Sequence, residues 1–168
     1  MSLRVLKGSL AGVAMLLLLG TPAFAQDNYP ELEVNFNILR LYEEMAPGFH
    51  VDIGKPMGTF GSSMTYGIVG EFALNRQDGE NLTSLLGGIR INPNRKVFFQ
   101  ILAGVLNEYG SHDFALQPGG GLRFPFNDKL NFKVGADVLI DFYRYSGFSQ
   151  TYFGGRGWAG IECLLGKP

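Results

Sequence analysis

The stretch 129–145, KLNFKVGADVLIDFYRY, decides the fold. Apolar residues stand at every second position from Leu130 to Phe142, through Phe132, Val134, Ala136, Val138 and Ile140. Asn131, Lys133, Gly135, Asp137 and Asp141 hold the alternate positions, and only Leu139 breaks the set. Successive side chains of a β-strand point to opposite sides of the pleat, so this period of two predicts one long strand with an oily face and a charged face. Which face lies inside decides what the protein does.

The same alternation recurs on both sides of this stretch. It predicts eight strands at about 32–41, 48–56, 65–75, 84–92, 96–107, 118–125, 129–143 and 152–164. In LEVNFN, Leu32, Val34 and Phe36 oppose Glu33, Asn35 and Asn37; in GFHVDIG, Phe49, Val51 and Ile53 oppose His50 and Asp52. In the fifth segment Phe98 and Leu102 spoil the polar face, and in the eighth Trp158 sits on the polar side. NPNRK and FPFND, after the fourth and sixth segments, read as tight turns. YEEMAP, NRQDGENLT, EYGSHDFALQP and YSGFSQT, after the first, third, fifth and seventh, read as longer loops. The link PMGTFGSSM after the second is longer than this scheme expects.

The chain begins with Arg4 and Lys7, an apolar run over 10–19, and TPAFA at 21–25. That is the layout of a secretory signal peptide over 1–25, cleaved before Gln26, and its apolar core is short against the roughly 20 residues of a membrane-spanning helix. The expected mature domain, 26–168, has 168 − 25 = 143 residues, enough for one domain. Charged residues make up 17%, below the roughly 25% of soluble domains, while Gly (24) and Phe (14) are abundant. A surface that does not face water accounts for that composition. The net charge of −1 gives no basic footprint for nucleic acid. Cys163 is the only cysteine, so no intrachain disulfide holds the exported domain.

Two closed barrels share this alternation with opposite polarity. A lipocalin-like carrier turns its apolar face inward around a ligand, and a membrane barrel turns it outward to lipid. The polar face pools Glu33, Asp52, Glu71, Asp137, Asp141 and Glu162 with Arg90, Arg123, Lys133 and Arg156. This mixed-sign set, accompanied by Gly and Asn rather than a dense Lys/Glu surface, suits a crowded interior in which Arg pairs bidentately. Tyr42, Tyr66, Tyr109, Phe126, Tyr143, Tyr145 and Tyr152, with Trp158, lie near strand ends and are expected to form an aromatic girdle at the membrane interfaces. The expected fold is all-β: an eight-stranded antiparallel up-and-down transmembrane β-barrel, with the charged residues in the lumen. An eight-strand interior is just wide enough for side chains to fill it, so no wide channel follows.

The signal peptide, the hairpin GGGLRFPFNDKLNFKVGADVLIDF and the eight-strand layout resemble the small outer-membrane β-barrel proteins of OmpA type. The resemblance implies a Gram-negative outer membrane, insertion by the barrel assembly machinery and surface-exposed loops. It also implies an aromatic last residue, whereas this chain ends GIECLLGKP, so its last strand is expected to stop near Leu164 or Leu165.

Other motifs carry less. Gly155, Gly157 and Gly160 fit G-x-G-x-x-G, but only eight residues follow and no βαβ unit surrounds them. Ser111, His112 and Asp113 are neighbours in sequence and point apart on an extended chain, so they are not expected to form a nucleophile and base. His50 and His112, the only histidines, have no metal-ligand spacing, and no cofactor is expected. The leading expectation is a non-enzymatic barrel with a structural or surface-interaction role. Outer-membrane lipid and an unidentified extracellular partner at the loops, through Tyr109, Phe114 and Phe148, are its expected contacts. A narrow passive pore, a soluble lipocalin-like carrier and a lipid A-modifying enzyme remain the alternatives.

Overall fold

The computed structural model describes residues 29–41, 43–61, 64–108, 110–145 and 148–166, with the backbone alone for Tyr145 and Phe148. The expected signal peptide lies outside the described residues. Eight strands follow in order: β1 (Glu31–Leu41), β2 (Glu44–Phe60), β3 (Met64–Gln77), β4 (Glu80–Asn92), β5 (Val97–Glu108), β6 (Ser111–Pro125), β7 (Leu130–Tyr145) and β8 (Phe148–Leu164). Each pairs antiparallel with the next, and β8 returns to pair with β1, closing the barrel. No strand edge is left open, which is what removes the need for a disulfide or a second layer.

The register fixes the barrel's shape. Opposed residues lead from Cys163 through Leu32, Ile53, Gly70, Gly87, Ala103, Leu116 and Ile140 back to β8 at Phe153, a stagger of 163 − 153 = 10 residues. A stagger of this size tilts the strands by about 40° and leaves an interior that side chains fill.

The pleat then sorts the sequence. Glu33 is 0% exposed and its neighbour Val34 46%; Phe36 is 75% exposed and Asn35 0%. The oily face of every strand is outside. Ile89, Phe99, Ile101, Phe114, Phe132, Val138 and Phe153 belong to this outward belt, an apolar surface far larger than a monomer in water exposes. Lipid is the solvent that suits it, and the barrel is a transmembrane one.

The loops differ from expectation. Leu41 pairs with Glu44, Gln77 with Glu80, Glu108 with Ser111 and Tyr145 with Phe148, so all four connections at one end are two-residue hairpins. The segments read as long loops are strand. Two-residue hairpins need positive φ, and the chain supplies it at Glu43 (69°), at Asp78 and Gly79 (48° and 87°) and at Gly110 (84°). Polar residues there continue the hydrogen-bonded ladder beyond the lipid belt, giving strands of 11 to 17 residues where a tilted crossing needs about 9–11. The longer links, 61–63, 93–96 and 126–129, are at the end that carries the termini. PMGTFGSSM is mostly β2, with a bulge between Pro56 and Gly58 where the ring nitrogen has no proton to donate. β8 ends at Leu164, where the sequence places it.

Ile101→Arg puts a charge on the lipid face of β5 and is expected to reduce stability by about 2–4 kcal/mol in urea titrations of the barrel folded into lipid vesicles. The change should shrink when the same protein is titrated in short-chain detergent.

Candidate functional site: the barrel lumen

Four carboxylates stand abreast on the inner wall. Glu162 of β8 is directly opposite Glu33 of β1, Glu33 opposite Asp52 of β2, and Asp52 opposite Glu71 of β3. Like charges in directly opposed positions repel, and here no water screens them because all four are at most 1% exposed. Their cations come from elsewhere on the ring. Arg90 reaches from β4 to Glu31 and to Asp52, each at 3.1 Å, and to Glu33, while its Nε and Nη2 also donate to Gln100 Oε1. Lys133 of β7 lies 2.6 Å from Glu33 and 3.3 Å from Glu162. Arg123 of β6 donates to Glu162 at 2.7 Å. Arg156 grips Glu71 with both terminal nitrogens, at 2.8 and 2.6 Å, and donates to Asp137 from Nε and Nη2.

An aromatic pair fills the space between these groups. The ring of Phe98 has Lys133 Nζ 4.1 Å and Arg90 Cζ 5.1 Å from its centroid, so its electron-rich face works as a further partner for two crowded cations. Trp158 packs 5.8 Å from Phe98 and donates its indole N–H to Asp137 Oδ2 at 2.9 Å. Gly135 is directly opposite Trp158, and a Cβ there would run into the indole. Nearer the hairpin end the filling is apolar: Leu39, Leu41, Ala46, Leu82, Leu106, Ala115 and Leu139 form one cluster, with Tyr152 against it. A cavity of about 10 Å³ touches Asn75, Gln117 and Arg156 on one side and Leu39, Leu82 and Leu139 on the other. That is about one water's worth of space.

Among solved structures, the chain is similar to Ail, the attachment invasion locus protein of Yersinia pestis, in complex with the heparin analogue sucrose octasulfate, with a TM-score of 0.52 and 16% identity over 82% of this chain and 99% of that one. Neisserial surface protein A aligns with a TM-score of 0.46 and 9% identity over 83% of this chain and 98% of that one. A de novo designed transmembrane β-barrel aligns with a TM-score of 0.47 and 12% identity over 84% of this chain and all of that one. The fold is that of the small outer-membrane β-barrels. No protein-family model and no curated protein matches the sequence. At these identities the likeness extends to the barrel and not to what its relatives bind.

In this outer-membrane barrel fold, Glu33, Asp52, Glu71, Arg90, Arg123, Lys133, Asp137, Arg156 and Glu162 all project into the lumen, as does Asp141. The aromatic set divides. Tyr66 is on the outer face beside Phe60, and Phe126 is 84% exposed in the turn after β6. Tyr143 and Tyr152 do not belong to an outer girdle: Tyr152 is opposite the buried Asp141 and packs on the inner cluster, and its ring meets Tyr143. Trp158 is likewise inside. Strand parity sets this, since all three lie an even number of residues from Asp141 or Arg156 on their own strands. Tyr42 and Tyr109 lie outside the described residues. Phe114 is on the outer face of β6, not in a loop. Glu31, a partner of Arg90, is missed by the sequence reading because it stands one residue before the predicted start of its strand.

Ser111 Oγ donates to Asp113 Oδ2 at 2.7 Å, but His112 points to the opposite face and bonds the Asn107 side chain. The three do not form a hydrolytic set. Gly155, Gly157 and Gly160 are within β8 with no helix after them.

Arg90→Ala leaves Glu31, Glu33 and Asp52 short of a counter-ion and is expected to remove about 3–5 kcal/mol of stability in urea titrations. Arg90→Lys should restore little of it, since one ammonium does not span the three carboxylates and Gln100.

Proposed function

We propose that this protein is a non-enzymatic outer-membrane barrel with a structural role: it is exported by its N-terminal signal, inserted by the barrel assembly machinery, and sealed through its middle by its own side chains. The observation that carries this reading is the filled lumen. A passive pore needs a continuous wet path, whereas here charged, aromatic and apolar layers follow one another, and the cavity between Leu39, Asn75 and Arg156 has room for about one water. A lipocalin-like carrier needs the opposite polarity, with the oily face around a cavity. A lipid A-modifying hydrolase built on a serine needs that nucleophile beside its base, and Ser111 and His112 face apart.

The surface contact supported best is with lipid. Arg40, Arg76 and Arg144 are exposed two residues before hairpins, above the apolar belt on the outer face. Long cationic side chains at that height reach the headgroup layer while their stems lie along the belt. The two-residue hairpins give little support to an extracellular partner gripped by long loops.

Two measurements test the reading. The folded protein should run at a different mobility from the boiled one on an SDS gel, and a planar bilayer containing it should show no conductance steps. Regular small steps would replace the structural reading with the pore, and an unshifted, water-soluble product would replace it with the carrier.

A further inference from the structure

Among the described strand residues, the outer wall carries charge of one sign only. Every Asp and Glu of the eight strands stands on the inner face of its strand, from Glu31 on β1 to Glu162 on β8. The charged side chains that face outward are Arg40, Lys55, Arg76 and Arg144. Arg76, exposed at the hairpin end of β3, makes no ion pair among the described residues. A wall with cations and no carboxylates favours an anion wherever it can also hold one.

Beside Arg76 the wall can do so. Asn81 of β4 is directly opposite Arg76, and Thr83 follows two residues along the same face. Asn107 of β5 is directly opposite Thr83, and His112 of β6 directly opposite Asn107. Asn107 Nδ2 donates to Thr83 Oγ1 at 3.3 Å, and its Oδ1 meets His112 Nδ1. These side chains make one strip across four neighbouring strands, about 14 Å wide by the strand spacing. The strip borders the apolar belt: Leu74 is opposite Thr83, and Val105 and Phe114 are two residues below Asn107 and His112. On the other side of Arg76, β2 presents only Met45, Pro47 and Phe49.

A guanidinium takes a phosphate bidentately, while amides and a hydroxyl donate and accept the hydrogen bonds that sugar hydroxyls need. Thr83 and His112 hold the Asn107 amide between them, and each of its polar atoms keeps a second proton or lone pair for a ligand. We propose that the outer face of β3–β6 binds one lipid whose headgroup is a phosphorylated sugar. Arg76 takes the phosphate, Asn81, Thr83 and Asn107 take the sugar hydroxyls, and the acyl chains lie on Leu74, Val105 and Phe114. A lipid with a phosphodiester and no sugar would use the arginine and leave the amides to water. The proposal rests on the lipid contact argued above and adds to it a chemical class and a place on the ring.

The test offers the barrel a choice. The protein is folded into detergent containing equal amounts of bisphosphorylated lipid A, the same lipid with its phosphates removed, and phosphatidylglycerol, and bound lipid is read by native mass spectrometry. The expected result is one lipid A per barrel, favoured roughly fivefold over either competitor, the scale of a charge pair at an exposed site. Arg76→Gln should bring lipid A down to the level of its dephosphorylated form. Asn81→Ala combined with Asn107→Ala should bring it down to the level of phosphatidylglycerol, while Lys55→Gln, at the opposite rim, retains it in full. Equal binding of lipid A and phosphatidylglycerol by the unaltered protein overturns the proposal with no variant needed. So does a preference unchanged in Arg76→Gln or in the double variant, or lost in Lys55→Gln. A barrel that is heat-shifted and silent in bilayers yet binds none of the three lipids removes the site and leaves the structural reading standing; a soluble, unshifted product removes both.

Discussion

Four carboxylates held abreast in a dry interior are a constraint that most of the lumen answers. On β8, β1, β2 and β3 the pleat brings Glu162, Glu33, Asp52 and Glu71 into one row, which Asn131 of β7 continues with a neutral donor to Glu162. Relief comes across the lumen from Arg90 and Lys133, separated from Glu33 by 57 and 100 residues of chain. Arg123 and Lys133, themselves directly opposed cations on β6 and β7, are unfavourable neighbours until the acid wall faces them. Each wall is thus destabilised alone and stabilised by the other, and the pairs of Lys133 with Glu33 and Arg156 with Glu71 join strands that come near when β8 meets β1. Ring closure completes the charge neutralisation.

The same arrangement explains why so many ionisable groups tolerate burial. Isolated buried ion pairs gain little over apolar packing, since desolvation offsets their attraction. Here each cation serves two or three acids, Phe98 takes part of the cationic load, Gln100 accepts from Arg90, and Gln117 and the Trp158 indole donate to Glu71 and Asp137. The arrangement is also specific. A one-residue slip of any strand would send its acids to lipid and its phenylalanines into the network, so register errors are costly on both faces at once.

Much of this was legible in the sequence, because a closed barrel writes its inside and outside onto alternate residues. KLNFKVGADVLIDFYRY carried the polarity, and the charges at Glu33, Arg90, Lys133 and Arg156 could be assigned to one side by parity alone. Parity would also have placed Phe98, Leu102, Leu139 and Trp158, which looked like flaws in the polar face and are its packing. Tyr143 and Tyr152 were misjudged from residue type and nearness to strand ends. The hairpins were missed for a different reason. Asp78-Gly79 is a strong turn signal, but it stood within polar residues, and polarity above a membrane belt does not distinguish loop from strand. What no single stretch could show is which far residues meet, since Arg90 reaches its acids only through the ten-residue stagger of the closed ring.

The short hairpins give the molecule an unusual economy of outer surface. Where each reversal at the hairpin end is two residues of a continuous ladder, a protease has little slack chain to seize there. What that end offers beyond the apolar belt is the polar wall of the paired strands themselves. A contact made there would meet a rigid ladder and not a pliable loop.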